Sequence, residues 1–508
     1  MKKILLIIPI ICLMLIFSAC DKFLDVQPQD RLNQEQVLRS EYAINSVLNG
    51  IYMRMAGNSV YGQNLTMSLV ECLAQRYSNR NLRLAYYWFT VGIFNDAERI
   101  AERAIENMWE GLYVLALGVN DFMTILDRTT LNIPEHRMNI LRGEALGLRA
   151  FFHFDILRLW GPSHAFYEDI HEAFMPYNDN AEARVLPLLS ADSIVKRILE
   201  DLYEAERLLS NDPIITQGRI TTLTLDPVRD FYTNRHYRMN YYAVKAMQAR
   251  VYMWIWDFEK AREAALAVLN APLVQAGTLF QWANPQHVSQ NPNPDRMFSS
   301  EVIFGIHNRN MTPNHNALFL ATLHPDNELT PLQSSQANRL AQTYSRTGIL
   351  GESADGNDYR YAHLWRPAGG DKGDQMALFK YAPPTQRNNP VFPIRAENFQ
   401  PLIRMSEIYY ILAECELRAG GSVAEGFDFL NLVRVNRGLL PFEGAITAAS
   451  LLREIQREYQ KEFFAEGQLY YFYKRRLIFI IPSGIGVGDD FITYRLPIPQ
   501  KELETRNR

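Results

Sequence analysis

Residues 241–271, YYAVKAMQARVYMWIWDFEKAREAALAVLNA, read as two amphipathic helices with a break near Asp257-Phe258. Apolar residues recur every three or four positions on both sides of the break, which is the spacing of one helix face. Ala249, Ala261 and Ala265 are small where the helices would cross, and Tyr252 lies between them. Small side chains at such positions let two antiparallel helices approach closely. Pro272 closes the second helix, because proline has no amide donor to continue it.

A second hairpin of this kind is expected at 401–418 and 424–437, broken by Gly420-Gly421 and ended by Gly438. Both hairpins follow the offsets of a degenerate tetratricopeptide-like repeat. Upstream, residues 98–127 carry a helical stripe through Ile105, Met108, Leu112, Leu115 and Val119. Residues 137–160 do the same through Met138, Leu141, Ala145, Leu148, Phe152, Ile156 and Leu159, and Gly161-Pro162 stops them. Residues 190–209 form another amphipathic helix, entered through Ser190 or Asp192 as a cap. A further helix at 450–467 buries Leu452, Ile455, Tyr459 and Phe463. It is followed by an aromatic run at 470–473, a strand-like LIFII and an extended YRLPIPQKELETR segment at 494–506. The expected fold class is therefore mainly α: a tetratricopeptide-like helix-pair superhelix with a large loop-rich region and a few short strands. Stacked pairs bury a continuous core and present a broad surface.

Between 273 and 400 the periodicity disappears and Pro, Asn, Gly and Gln rise, with EVIFGIH (301–307) as the clear strand candidate. Residues 57–97 form a smaller irregular segment. Long ordered loops inside a folded domain are usually functional. The ligand-binding candidates are the aromatic residues they carry: Tyr86, Tyr87 and Trp88 in the first, and Trp282, Tyr359, Tyr361 and Trp365 in the second. Flat aromatic faces beside amide and charged groups suit stacking on sugar rings or gripping peptides. The competing reading is that these rings pin the loops to the body.

Catalytic motifs are missing. The chain has no HExxH, CxxC, GxxxxGK[ST] or GxSxG, and no helix pattern follows the glycine run at 484–488. Glu407 and Glu414 read as solvated or structural charge beside Arg404 and Arg418. Asp355, Asn357, Asp358, Asp371 and Asp374 lack the order of an EF-hand loop. No catalytic residue, metal or cofactor is expected. A lipid-anchored hydrolase and a purely scaffolding repeat protein are the alternatives to a binding role.

The N-terminus, MKKILLIIPIICLMLIFSAC, has a basic start at Lys2-Lys3, an apolar run over 4–17 and small residues before Cys20. That is the layout of an export signal. It points to residues 1–19 as a lipoprotein signal peptide and to Cys20 as the lipidation site, since the run falls short of the roughly 20 apolar residues of a spanning helix. The remainder, 20–508, reads as a single domain: an N-terminal helical part (28–272), the loop-rich ligand region (273–400) and a C-terminal helical part (401–508). The formal net charge is −4, and −6 once Lys2 and Lys3 leave with the signal, so no nucleic-acid partner is expected. Cys415 is expected as a buried thiol on a helix face, and its pairing with Cys72 stays open.

Taken in order, these segments resemble the SusD/RagB family of outer-membrane nutrient-uptake lipoproteins. CDKFLDVQP at the start, MWEGLYVLALGVND (108–121), LRAFFHFDILRLWGP (148–162) and AVKAMQARVYMWIWDFEKA (243–261) carry the likeness. So do SSEVIFGIHN (299–308), LIRMSEIYYILAECELRAGG (402–421), FLNLVRVNRGL (429–439), REYQKEFFAEGQLYYFYKR (457–475) and LPIPQKEL (496–503). The resemblance implies tetratricopeptide-like helix pairs with a looped binding region packed on them. It also implies a non-enzymatic subunit, lipid-anchored to the outer membrane and facing the cell surface. Such a subunit works as a lid on a SusC/RagA-like TonB-dependent transporter barrel and captures oligosaccharide or peptide. QLYYFYK (468–474) departs from the Arg-Trp-Phe-Asp-Leu pattern of many relatives, which suggests a divergent subgroup for which a starch-type ligand is not to be assumed.

Overall fold

The computed structural model describes residues 37–77, 98–164, 169–182, 184–220, 224, 226–290, 293–320, 322–323, 328–331, 338–369, 372–383, 398–478 and 494–506. Cys20 with its leader, Tyr86, Tyr87, Trp88 and the glycine run at 484–488 lie outside these residues. The principal helices are α1 (Glu41–Met55), α2 (Glu98–Arg128), α3 (Glu135–Trp160), α4 (Ala191–Leu208), α5 (Tyr241–Trp254), α6 (Phe258–Leu269), α7 (Met311–Leu318), α8 (Tyr359–Leu364), α9 (Met405–Arg418), α10 (Val423–Val435), α11 (Ala448–Glu462), α12 (Gln468–Arg476) and α13 (Gln500–Arg506). Short antiparallel ribbons join β1 (Ala173–Met175) to β2 (Leu189–Ser190), β3 (Val302–His307) to β6 (Phe399–Arg404), and β4 (Trp365–Pro367) to β5 (Met376–Leu378).

The hairpin at 241–271 forms as its pattern dictates. The Asn240 side chain accepts from the Ala243 amide at 3.0 Å to start α5, and Asp257 accepts from Lys260 at 3.1 Å to start α6. The turn between them is tight enough to hold Trp256 in the left-handed region at φ +62°. Ala249, Ala261 and Ala265 are fully buried at the crossing. The hairpins then stack: α2, α3 and α4 are successive neighbours, α4 packs on α5, α6 on α9, and α9 on α10. Arg250, inside α5, ties two of them by donating to Glu407 of α9 at 2.5 and 2.7 Å and to the Leu402 carbonyl at 2.8 Å.

Several local expectations are corrected. Residues 399–404 form a strand on β3, and the helix expected from 401 begins at Met405. All six residues of that strand are buried, and a short apolar run with no alternation does not separate strand from helix. Glu407 and Glu414 are buried rather than solvated, and Glu414 receives Arg475 at 2.6 and 3.0 Å. The aromatic run at 470–473 lies within helix α12, and the C-terminal segment is extended only to Pro499 before turning into α13. Cys72 and Cys415 are both buried with no disulfide between them.

A second, smaller apolar cluster sits under the loop-rich part, gathering Met67, Tyr77, Phe298, Phe319, Tyr344, Trp365, Tyr381 and Phe464. Charge joins this part to the helical body. Glu458 and Glu462 lie one turn apart on α11, and Glu466 follows one turn later. Arg360 of α8 donates to Asp358, to Glu458 at 2.8 Å and to Glu462 at 3.0 Å. Arg437 bridges Glu462 to Glu301 beside β3, and Arg404 of β6 reaches Glu462 and Glu466. Lys380 also pairs with Glu466. These side chains are all buried. Such a network holds only when each charge keeps its partners.

Beside it, Gly467 takes φ +74°, and a Cβ there would lie 2.0 Å from the Leu65 carbonyl oxygen. That close approach lets the Gly467 amide donate to Glu71 at 2.8 Å. Burial pushes the Glu71 carboxyl up to about 7, although Arg76 and backbone donors oppose the rise. Its folded value is therefore above its unfolded one. The stability it contributes is full below the ordinary carboxylate range and is lost as pH rises through about 7. Glu71→Gln keeps an acceptor for the Gly467 amide and removes the titration. Urea unfolding at pH 8 is expected to show the variant more stable by roughly 1–3 kcal/mol, with a flatter pH dependence between the two pKa values.

Candidate functional site

Four of the seven candidate rings fall within the described residues, and the structure divides them. Trp282 is half-buried against the helical body, 4.9 Å from the Tyr409 ring, with the Arg437 guanidinium 5.6 Å from its own centroid. Tyr359, Tyr361 and Trp365 lie on one continuous segment, α8 running into β4. Trp365 is 2% exposed; its ring packs edge-on against Phe464 at 4.8 Å and its indole N–H reaches the Tyr344 hydroxyl at 3.4 Å. Its surface is thus taken up by packing, and it offers no face to a ligand. Tyr361 is half-buried, 5.5 Å from Tyr344. Tyr359 is half-buried over Gly438, whose φ of +82° and missing side chain admit the ring.

A cleft of about 710 Å³ opens next to this segment, between residues 344–347, residues 438–444 and α11. Asn357, Asp355, Arg346, Glu443 and Arg453 line it, a set of amide, carboxylate and guanidinium groups that can hydrogen-bond hydroxyls. The acidic stretch around it is engaged in local structure. Asp355 accepts from the Asn357 amide at 2.9 Å, and Asp358 caps α8 while pairing with Arg360.

The other face of the β4–β5 ribbon carries a group that sequence reading missed. Arg366 is paired across the ribbon with Ala377, and Phe379 is tied to Leu364 by a 2.7 Å backbone hydrogen bond. Alternation therefore puts Arg366 and Phe379 on one side and Trp365 on the other. The Arg366 guanidinium lies 5.2 Å from the half-buried Phe379 ring centroid. His315 of α7 approaches the same ring at 6.0 Å and also contacts Phe319. Arg296 completes the group, donating to the Ala382 carbonyl at 3.3 Å. Burial pushes Arg296 down to about 10 and His315 down to about 4, each helped by a neighbouring arginine. At neutral pH Arg296 is charged and the imidazole is neutral. These residues span more than eighty positions across aperiodic loops. The signal on offer was the tight RPAGGDKGDQ ribbon turn directly after Trp365.

The fold is that of a helical-repeat protein. Residues 22–222 match a family model described as SusD-like, starch-binding associating with outer membrane, and residues 393–479 match the SusD family model. A SusD-like protein of Formosa agariphila is 22% identical, over 84% of this chain and 80% of its own length. A SusD superfamily crystal structure from Bacteroides thetaiotaomicron superposes with a TM-score of 0.66 at 18% identity, covering 92% of this chain and 98% of the other. The surface glycan-binding protein A of the same organism, solved with laminarihexaose, superposes at 0.61 with 18% identity over 91% and 97% of the two chains. The chain belongs to the SusD/RagB family. Among the described residues no helix is long and apolar enough to cross a membrane.

Proposed function

We propose that this protein is a non-enzymatic, lipid-anchored subunit of the outer-membrane surface that captures an oligosaccharide and passes it to a TonB-dependent transporter barrel. The observation that carries the reading is the family match at both ends of the chain, with a loop-rich cap of rings and charged groups between them. An oligosaccharide is preferred to a peptide because a structural relative was solved with laminarihexaose. The tether at Cys20 keeps the lid beside its barrel while it swings, and more than one acyl chain is needed for firm anchoring.

Cys20→Ala is expected to move the protein from the membrane fraction to the soluble fraction of fractionated cells, and mass spectrometry is expected to show loss of the acyl groups. A wild-type chain whose Cys20 carries no acyl group in the mass spectrum would refute the anchor. Co-purification from detergent-solubilised membranes tests the partner: a barrel of the TonB-dependent class is expected to come with the wild-type chain, and its absence would sink the delivery role.

A further inference from the structure

Among the described residues most buried arginines are neutralised by a carboxylate. Arg235, Arg250, Arg360, Arg404, Arg437 and Arg475 each hold one or more carboxylates. The group at the β4–β5 ribbon departs from this. Arg296 is 7% exposed; among the described residues its Nε has no hydrogen-bond partner and its Nη1 meets only a backbone carbonyl. Asp295, next in the chain, turns its carboxylate onto Ser299 and the Met297 amide instead. His315 is 2% exposed and its Nδ1 is likewise unpartnered among the described residues. Arg366 stands over Phe379 with no carboxylate among the described residues. Two buried polar nitrogens without a partner among the described residues are unfavourable until an oxygen supplies one. The net charge of −4 supplies no general attraction for anions, so the positive potential here is local.

We infer that Arg296, His315, Arg366 and Phe379 form a subsite for an acidic oligosaccharide, taking a carboxylate or sulfate substituent of the sugar. The guanidiniums match the planar geometry of such oxygens. His315 donates through a ring N–H, and the Phe379 ring lies beside them for the C–H face of the same pyranose. The inference rests on the oligosaccharide-binding reading and names the class of ligand.

Calorimetry on the full chain in detergent tests it with two matched pairs: oligogalacturonate against its carboxyl-reduced neutral counterpart, and a sulfated oligosaccharide against its desulfated form. The acidic member of at least one pair is expected to bind more tightly than its neutral partner. Arg366→Gln is expected to weaken that acidic probe by about 10–100-fold, the loss of one charge-assisted hydrogen bond, with an unchanged melting temperature. Arg207→Gln, an exposed residue of α4, is expected to leave it as tight as wild type. Which pair responds separates carboxylate from sulfate. Equal binding of acidic and neutral forms, or full affinity in Arg366→Gln, overturns the subsite and leaves the oligosaccharide reading standing. Failure of every glycan to bind while an acidic peptide does overturns both.

Discussion

Replacing Glu462 by alanine is expected to remove a large share of the folding stability of this protein. Its Oε1 receives Arg437 at 2.6 Å and also Arg404; its Oε2 receives Arg437 and Arg360, each at 3.0 Å. Each of the three arginines keeps another carboxylate after the change, but the buried site loses one negative charge from its centre. Removing one partner of a buried ionic group costs about 3–5 kcal/mol, against a total of roughly 5–15 kcal/mol for a folded protein. Glu462→Gln is expected to do nearly as badly, because its amide would point N–H groups at guanidiniums. Glu443→Ala, which breaks only an exposed pair with Arg346, is expected to change stability by less than about 1 kcal/mol. Urea midpoints for the three variants decide the matter, and a Glu462→Ala midpoint equal to that of Glu443→Ala would refute the central role of the network.

The same carboxylate sets the acid limit. Burial alone would raise its pKa, but Arg437 and Arg404, with the hydrogen bonds they donate, hold it well below the ordinary range. A depressed folded value means that its stabilisation is present above the unfolded pKa and is lost as pH falls below it. Wild-type stability is therefore expected to decline below about pH 4.5, and the slope of that decline is expected to be shallower in Glu462→Gln.

Glu462 also shows where sequence reading stops. The helix hairpins were legible because their information is local: the stripe at 137–160 and the break at Asp257 need only the chain nearby. Glu458, Glu462 and Glu466 repeat every four residues, which by the same rule reads as a solvated helix face. They are buried because Arg404 and Arg360 arrive from 58 and 102 residues away. For Glu407 and Glu414 the choice between solvated and structural charge is settled the same way, by partners lying at Arg250 and Arg475. The strand at 399–404 needed β3, nearly a hundred residues upstream, to declare itself. The candidate site was half legible. Aromatic enrichment drew attention to the loop-rich region, but it could not separate Trp365, which turns into the core, from Phe379 and Arg366, which turn the other way across the same ribbon. That choice is made by strand pairing, and the pairing is not written in either segment alone.

The second large effect concerns Lys474, where a local rule and a distant partner meet. Pro162 stops α3, and having no N–H it cannot serve the Arg158 carbonyl four residues before it. Leu157, one position earlier, has its partner in the Gly161 amide at 2.9 Å. Lys474 of α12 fills the gap: its buried ammonium donates to the carbonyls of Arg158 and Gly161 at 2.7 Å each and approaches that of Leu159 at 3.4 Å. Burial, with Arg495 and Arg158 nearby, pushes the Lys474 amine well below its ordinary range, and the negative pole of the helix dipole opposes that fall. Leu159 has a second donor in the Leu496 amide at 3.1 Å. In Lys474→Met the other two carbonyls would lose the ammonium donor inside the protein. At about 1–3 kcal/mol for each orphaned acceptor, the variant is expected to lose roughly 2–6 kcal/mol by urea unfolding. Amide exchange is expected to quicken first in the last turn of α3 and in residues 494–498, which lean on it through the Trp160 indole and the Pro497 carbonyl. Lys474→Arg is not expected to rescue it, because the enclosure leaves no room for a guanidinium fork. A Lys474→Met protein as stable as wild type would mean that water, or a shift of α12, satisfies these carbonyls, and the α3–α12 junction would then not need the cation.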